Sequence, residues 1–177
     1  MIQATNNRPP ENLSRPTLAQ QCGLTWPRPG LSAWPPDTHL VLAVLLAVPV
    51  WAALALLAGP LLYVPSGWTA WVSFVLVYPV VEELVFRGIL QGQVLQLTTR
   101  DGRARRAGPV SWANMLVTLA FVALHLRAQP LAWALAVAVP SLVLGHLRER
   151  FASVWPPVLV HVVYNAGFGL AGWLAYR

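Results

Sequence analysis

Residues Tyr78 to Gly88 read YPVVEELVFRG and place three ionisable side chains inside a long apolar segment. A charge near the centre of a bilayer costs at least about 2.5–3.5 kcal/mol, so ionisable residues there usually serve a function. Glu83 and Arg87 are four residues apart, with the glutamate on the N-terminal side, which favours a helical ion pair. Successive helical residues project about 100° apart, so Glu82 leaves from another face. We therefore predict that Glu83 pairs with Arg87 and that Glu82 faces a cavity.

A proline, Pro79, lies three residues before Glu82. Inside a helix, proline removes one hydrogen bond and frees the carbonyl four residues earlier, which here belongs to Val75. A kink beside two carboxylates would let water or substrate approach them. A tolerated kink without a role is the simpler alternative.

Two histidines in later apolar segments could complete a catalytic group. In FVALH, Phe121 and His125 share a helix face at a spacing of four residues, and in HVVYN His161 and Asn165 do the same. A carboxylate, two imidazoles and an amide supply a general base, proton carriers and oxyanion donors. These are the groups needed to hydrolyse an amide bond.

The composition indicates that long apolar helices carry these groups. Of the 177 residues 56% are hydrophobic and 10% charged, whereas roughly 25% are charged in soluble domains. Lipid-facing backbone must satisfy its own hydrogen bonds, which favours helices. We predict an all-α integral membrane bundle over residues 39–177, preceded by a flexible Pro-rich tail at 1–38. About five segments approach or exceed the length of a transmembrane helix: residues 39–64, 68–97, 110–127, 131–147 and 155–175.

The basic residues predict orientation. All 12 are arginines, and most lie in short loops, as topology signals and headgroup contacts do. This distribution argues against a nucleic-acid partner despite the net charge of +6. The positive-inside rule predicts a cytoplasmic N-terminus, and the arginine-only composition suggests a bacterial inner membrane. If the five helices alternate, one side holds Arg8, Arg15, Arg28, Arg100, Arg103, Arg105, Arg106, Arg148 and Arg150.

Three motifs in this order resemble those of a known family. EELVFR resembles EExxxR, FVALH resembles FxxxH, and HVVYN resembles HxxxN. The family is the CPBP group of intramembrane endopeptidases, related to type II CAAX prenyl proteases and to bacteriocin-processing and immunity proteins. The resemblance covers roughly residues 70 to 175.

The resemblance implies an endopeptidase that cleaves a membrane-associated protein or peptide near a C-terminal or leader segment. Glu82 would activate water, and the histidines would assist or stabilise the oxyanion. The implied catalytic residues are Glu82, His125, His161 and Asn165. The implied supporting residues are Glu83, Arg87 and Phe121. Members commonly have more transmembrane helices, so a membrane partner protein is expected alongside lipid and the peptide substrate.

A zinc site is the main alternative for the chemistry. Glu82, His125 and His161 could be three ligands, with water in the fourth position. Zinc would then need a separate base, and Glu83 would have to serve while paired with Arg87. A metal-free glutamate mechanism needs fewer groups, so we expect no cofactor and keep zinc as the alternative.

Two rival functions use the same charges. A non-enzymatic immunity or scaffold protein of this fold would tolerate loss of the Glu82 carboxylate. A small proton-coupled transporter would use Glu, Arg and His as an ion path, although no internal repeat supports alternating access.

Depth in the membrane sets a condition on the shared site. His125 is about 15 residues into its segment and His161 about 6 into a parallel one. At about 1.5 Å per residue their depths would differ by about 13 Å. Convergence therefore requires tilt, an earlier start of the last helix near Ser153, or a vertical offset.

Overall fold

The computed structural model describes residues 16–27, 37–58 and 62–176, and within these ranges the chain is mostly helical. The prediction of a helical membrane bundle is confirmed. Four helices among the described residues are long and apolar enough to cross a membrane: Thr38–Ala58, Gly67–Thr98, Leu131–Phe151 and Trp155–Ala175.

The predicted third span is shorter than expected. It forms the apolar helix Trp112–His125, which has 14 residues. At about 1.5 Å per residue this helix covers about 21 Å, against about 30 Å of hydrocarbon. The described chain therefore has four full-length candidates and one short apolar helix rather than five equal spans.

The long helices are built from shorter units, which we number in chain order. The first span comprises α2 and α3, and the third comprises α8 and α9. The second span alternates α- and π-helix. The α-helices are α1 Leu18–Gln21, α2 Thr38–Leu45, α3 Ala47–Ala58, α4 Gly67–Val72, α5 Tyr78–Glu83, α6 Gln91–Thr98, α7 Trp112–His125, α8 Leu131–Ala136, α9 Ala138–Phe151 and α10 Trp155–Ala175. The π-helices are π1 Ser73–Val77 and π2 Leu84–Leu90.

Two small antiparallel hairpins connect α6 to α7. Strand β1 (Thr99–Arg100) pairs with β2 (Arg103–Ala104), and β3 (Arg106–Ala107) pairs with β4 (Val110–Ser111). Asp101 and Gly102 both have positive φ in the first turn, a conformation that Gly and Asp tolerate better than most residues. This loop carries four of the predicted topology arginines.

Several helix ends meet at one end of the bundle, which we call the arginine-rich end. Asp37 caps α2 and accepts a hydrogen bond from Nη2 of Arg150 at 2.6 Å. This bond lowers the pKa of the Asp37 carboxyl below its usual range. Nearby, Nη2 of Arg106 lies 3.3 Å from Oε2 of Glu149. The hairpin loop, the start of the first span and the end of the third therefore share one end.

Part of the region predicted as a flexible tail, residues 16–27, is packed against the bundle. Its helix α1 begins with a capping box in which Thr17 and Gln20 satisfy each other's backbone. Farther along, the Gly23 carbonyl accepts from the Val154 amide at 2.8 Å, and the Thr25 carbonyl accepts from Ser153 Oγ at 2.8 Å. The segment thus covers the buried turn between α9 and α10.

Arg148 is not the exposed loop residue that the topology analysis predicted. It lies inside α9 and is only 4% exposed. Its guanidinium donates to backbone carbonyls of two other segments. It therefore belongs to the packing of the bundle rather than to its headgroup-facing charges.

The bundle has a small core and a wide apolar exterior. One buried cluster joins Phe86 to Val117 and Phe121, beside the second span. A second cluster joins α2, α9 and α10 through Ala43, Leu144, Leu147, Phe151 and Val160. By contrast Leu56 and Leu57 are 84% and 86% exposed. Apolar side chains on the outside are what a lipid environment requires.

Candidate active site

The two acidic residues lie on a short α-helix, α5, between two π-helices. In π1 the Tyr78 amide donates to the Ser73 carbonyl, five residues earlier. The next bond in that register would join residue 79 to the Phe74 carbonyl, but Pro79 has no N–H. The Phe74 carbonyl instead accepts from Nδ2 of Asn165 at 2.8 Å. The carbonyl that receives a side chain is therefore Phe74, and not Val75 as an α-helical register predicts.

The second π-helix also leaves a carbonyl for a side chain. At its end the Gln91 amide donates to the Phe86 carbonyl, again five residues earlier. A return from five-residue to four-residue spacing passes over one carbonyl. The Arg87 carbonyl accepts from Nε of Arg148 at 3.0 Å. Both π segments are thus tied to other helices by side chains, an arrangement common beside functional sites.

Glu83 is fully buried between a guanidinium and an imidazole. Its Oε2 lies 3.2 Å from Nε of Arg87, so the predicted i,i+4 pair is present. Its Oε1 lies 2.8 Å from Nδ1 of His161. An ionised carboxylate only accepts, so this imidazole nitrogen is the donor. Glu83 therefore both neutralises Arg87 and orients His161.

Arg87 is held by partners that the sequence did not reveal. Its Nη2 donates to the carbonyl and to Oγ of Ser141, at 3.0 and 2.8 Å. Its Cζ lies 4.8 Å from the centre of the Phe121 ring, a cation–π distance. Thr118 Oγ1 hydrogen-bonds to Ser141 at 2.9 Å and extends the network to α7. Arg87 is therefore a structural centre that joins three helices.

His161 lies between the two carboxylates. Its Nε2 is 3.7 Å from Oε2 of Glu82, a distance at which a water molecule can bridge two polar groups. The Glu82 side chain is 28% exposed and that of Glu83 is fully buried. Since Nδ1 donates to Glu83, Nε2 offers its lone pair on the side of Glu82. Glu82 is the carboxylate that solvent or substrate can reach, as the sequence predicted.

His125 lies beside this group, on the last residue of α7. Its Nδ1 lies 2.9 Å from the Phe121 carbonyl, which only accepts, so Nε2 again carries the lone pair. The Phe121 ring contacts His125 at 4.4 Å and His161 at 6.3 Å between centroids. His125 is also close enough for its charge to act on Glu82. Phe121 thus separates and supports the two imidazoles.

The depth condition is met by a vertical offset. Ser153 and Val154, in the turn before α10, are fully buried beneath residues 16–27. Helix α10 therefore begins inside the bundle, so His161 lies deeper than its position in the helix suggests. This offset brings His161 to the level of Glu83.

Asn165 contacts the backbone of the second span rather than another candidate side chain. It lies one turn after His161 on α10, and its Nδ2 donates to the Phe74 carbonyl. The sequence predicted a role for its amide at the oxyanion. In the structure that amide holds π1 against α10.

Polar residues missed by the sequence analysis continue the second span at intervals of four. Gln91 follows Arg87, and its Nε2 donates to the Gly145 carbonyl and to Glu149, both at 2.9 Å. Glu149 also contacts Ser111. The spacing of Glu83, Arg87 and Gln91 in an apolar segment is visible in the sequence and could have predicted this buried polar face.

The side chains offer a limited fit to a metal ion. Both imidazoles present Nε2, and their Nδ1 atoms have a carboxylate and a carbonyl as partners, which is typical of metal-binding histidines. Within residues 16–27, 37–58 and 62–176, however, no three His, Cys, Asp or Glu side chains are grouped closely enough to hold one ion. The proposed zinc ligands Glu82, His125 and His161 are therefore not arranged as a ready-made metal site.

Fold and site together define a helical membrane protein with an acid–imidazole group inside its bundle. Residues 64–167, more than half of the chain, match the family described as type II CAAX prenyl endopeptidase, Rce1-like. The chain belongs to this family of intramembrane endopeptidases, as its motifs suggested. No curated protein and no solved structure matches the chain.

Proposed function

We propose that this protein hydrolyses a peptide bond in a membrane-associated protein or peptide, with Glu82 as the base that activates water. The observation that supports this proposal most is the position of His161, 2.8 Å from buried Glu83 and 3.7 Å from accessible Glu82. Glu83 fixes the imidazole, so Glu82 is left for chemistry. This is the division of roles expected when one carboxylate orients and the other reacts.

The reaction follows from these positions. A water between Glu82 and His161 gives one proton to the Glu82 carboxylate, and its oxygen attacks the carbonyl carbon of the substrate. The carbonyl electron pair moves to oxygen and forms an oxyanion. When the oxyanion collapses, the C–N bond breaks and the proton on Glu82 passes to the leaving amine. The products are a carboxylic acid and an amine, and Glu82 is regenerated.

The two histidines assist through their Nε2 atoms. Each is fixed by its Nδ1 partner and can accept the second hydrogen of the water. An imidazole that has taken up a proton becomes a donor and can stabilise the oxyanion. The second amide hydrogen of Asn165 would assist from the next turn of α10.

The substrate is expected to have a membrane-associated end. Glu82 lies about half-way along the second span, so the scissile bond must reach it within the lipid layer. The family description names prenylated CAAX ends, and a leader peptide or a C-terminal membrane-sorting tail has the same anchored geometry. A membrane partner protein would supply recognition elements beyond the site.

We favour a metal-free mechanism, because Glu82 is free to act as the base. In the zinc alternative Glu82, His125 and His161 would hold the ion, which would supply a bound hydroxide. Stoichiometric zinc in purified active protein, together with loss of activity on chelation, would overturn the metal-free proposal.

The test compares membrane proteomes from cells that produce the wild-type protein or Glu82→Gln. Glutamine keeps the size of the side chain but cannot accept a proton at neutral pH. We expect a membrane-associated protein to accumulate uncleaved in the variant, with activity reduced at least about 100-fold. Asp101→Asn is the matched control, because Asp101 lies in an exposed turn where asparagine also tolerates positive φ. Unchanged processing in Glu82→Gln would favour an immunity or scaffold protein instead.

A further inference from the structure

Arg148 occupies an unusual position for a charged residue. It is 4% exposed, and no carboxylate of the described residues forms an ion pair with it within 4 Å. Its donors bind two backbone carbonyls, Nε that of Arg87 at 3.0 Å and Nη2 that of Gln21 at 2.9 Å. A buried guanidinium is retained at a considerable desolvation cost, so its two acceptors indicate what it does.

One acceptor is the carbonyl that π2 passes over. A π-helix has poorer internal geometry than an α-helix, and an unpaired carbonyl in lipid costs several kcal/mol. Without Arg148, π2 would gain by returning to α-helical spacing. Removal of one residue from the helical register rotates the part of the helix before π2 by about 100° relative to the part after it. Glu82 and Glu83 lie directly before π2.

The other acceptor belongs to the N-terminal segment, residues 16–27. This segment lies directly on π2 and α6 because two glycines face it: a Cβ at Gly92 would overlap the Gln21 carbonyl, and one at Gly88 would lie 3.3 Å from the Cys22 carbonyl. Gly23, with φ of +65°, lies against the guanidinium of Arg148, where a Cβ would be 2.5 Å from Cζ. Arg148 is thus fixed from both sides.

We propose that Arg148 is a positioning residue for the hydrolysis proposed above: by binding the Arg87 carbonyl it holds the π register of Leu84–Leu90 and keeps Glu82 and Glu83 against His161. Residues 16–27 complete this arrangement by holding the guanidinium in place. The inference rests on the proposed function for its catalytic consequence, but the register itself can be measured without activity.

The experiment uses full-length Arg148→Gln and Arg148→Lys in lipid nanodiscs, with Arg103→Gln as control. Arg103 lies on an exposed strand in the hairpin loop. Lysine keeps the charge, but its donors leave from a single nitrogen and cannot reach both carbonyls. The chain has four histidines, so imidazole ¹⁵N spectra contain few signals, and loss of one in His161→Gln assigns His161. The second readout is cleavage of an internally quenched peptide that ends in a farnesylated cysteine and three further residues.

We expect Arg148→Gln to shift the His161 ¹⁵N signal, because its Nδ1–H bond to Glu83 is disturbed. It should also lower kcat about 100-fold with little change in KM, as for other small misplacements of catalytic groups. Arg148→Lys should be intermediate, and Arg103→Gln should match the wild type. A residue that only stabilises the fold would lower the yield of folded protein and leave kcat per folded molecule and the His161 signal unchanged.

An unchanged His161 signal in Arg148→Gln would overturn the inference, whatever the peptide assay gives. If the signal shifts but Glu82→Gln still cleaves the peptide, the proposed function fails and the positioning of the register stands. If Arg148→Gln does not fold, Gly23→Ala displaces the guanidinium from its other side, and the same shift is expected from that variant.

Discussion

At the scale of single residues, two adjacent glutamates have opposite surroundings. Glu83 is fully buried and contacts Arg87 and His161, whereas Glu82 is 28% exposed and contacts only the far nitrogen of that imidazole. Their side chains leave the helix about 100° apart, so one faces the packed interior and the other the accessible side. Stability and reactivity should therefore separate between them.

Glu83→Gln should destabilise the protein strongly. The change leaves the Arg87 guanidinium, which is 1% exposed, without its carboxylate, and breaking a buried pair costs about 3–5 kcal/mol. The measurement is the unfolding free energy in mild detergent. Glu82→Gln is the matched control and should cost less than about 1 kcal/mol, since its side chain has no buried cation of its own. Equal losses in the two variants would contradict this division.

The sequence predicted the Glu83–Arg87 pair because four-residue spacing on a helix is enough to specify it. It did not predict that Glu83 also binds His161, which comes from a helix 78 residues later in the chain. A carboxylate has two oxygens and can accept from two directions, so an assigned partner does not exclude another. Contacts such as that of Ser141 with Arg87 depend on the packing of α9 and have no local signal.

At the scale of elements, the second span is a helix with two π segments on either side of its acidic residues. Periodicity in the sequence located this span within a few residues, since bounds of about 68–97 compare with Gly67–Thr98. It could not reveal the π register, because π1 and π2 add only a local change of phase to an otherwise helical pattern. The Pro79 kink was predicted from the sequence, but the carbonyl it affects was not.

A double-mutant cycle tests the link between Pro79 and Asn165. Asn165→Ala should cost about 1–3 kcal/mol, because the Phe74 carbonyl loses its donor in an apolar region. In a Pro79→Ala background the same change should cost less, since alanine restores an N–H that can reach that carbonyl. The unfolding free energies of the four proteins give the coupling. Strict additivity would show that Asn165 does not replace the bond that proline removes.

At the scale of the whole molecule, the arginine-rich end combines the hairpin loop, several helix ends and residues 16–27. The sequence identified its arginines as a group, but it treated Arg148 as one of them and the preceding segment as a flexible tail. The difference arises from packing: Gly88 and Gly92 allow another backbone to lie on the helix, and sequence spacing alone does not say which backbone. The same packing creates the offset that brings His161 to the site.

Cys22 provides a test of orientation, because it is the single cysteine of the chain and lies on the packed N-terminal segment. The positive-inside rule predicts that the arginine-rich end faces the cytoplasm. A membrane-impermeant maleimide should therefore label Cys22 in inverted membrane vesicles and not in right-side-out vesicles. Labelling after detergent solubilisation measures the total reactive thiol in each sample. The reverse pattern would place this end of the bundle outside.

The short helix α7 gives the bundle an uneven thickness. It starts beside Glu149 at the arginine-rich end and stops after 14 residues, whereas the neighbouring third span has 21. The seven missing residues leave a step about 10 Å deep on the opposite side. Lipid headgroups and solvent can settle into such a step, and the five exposed residues 126–130 form its floor. His125 stands at the edge of this recess, so the reacting groups lie under a thinner layer of hydrocarbon than the rest of the protein.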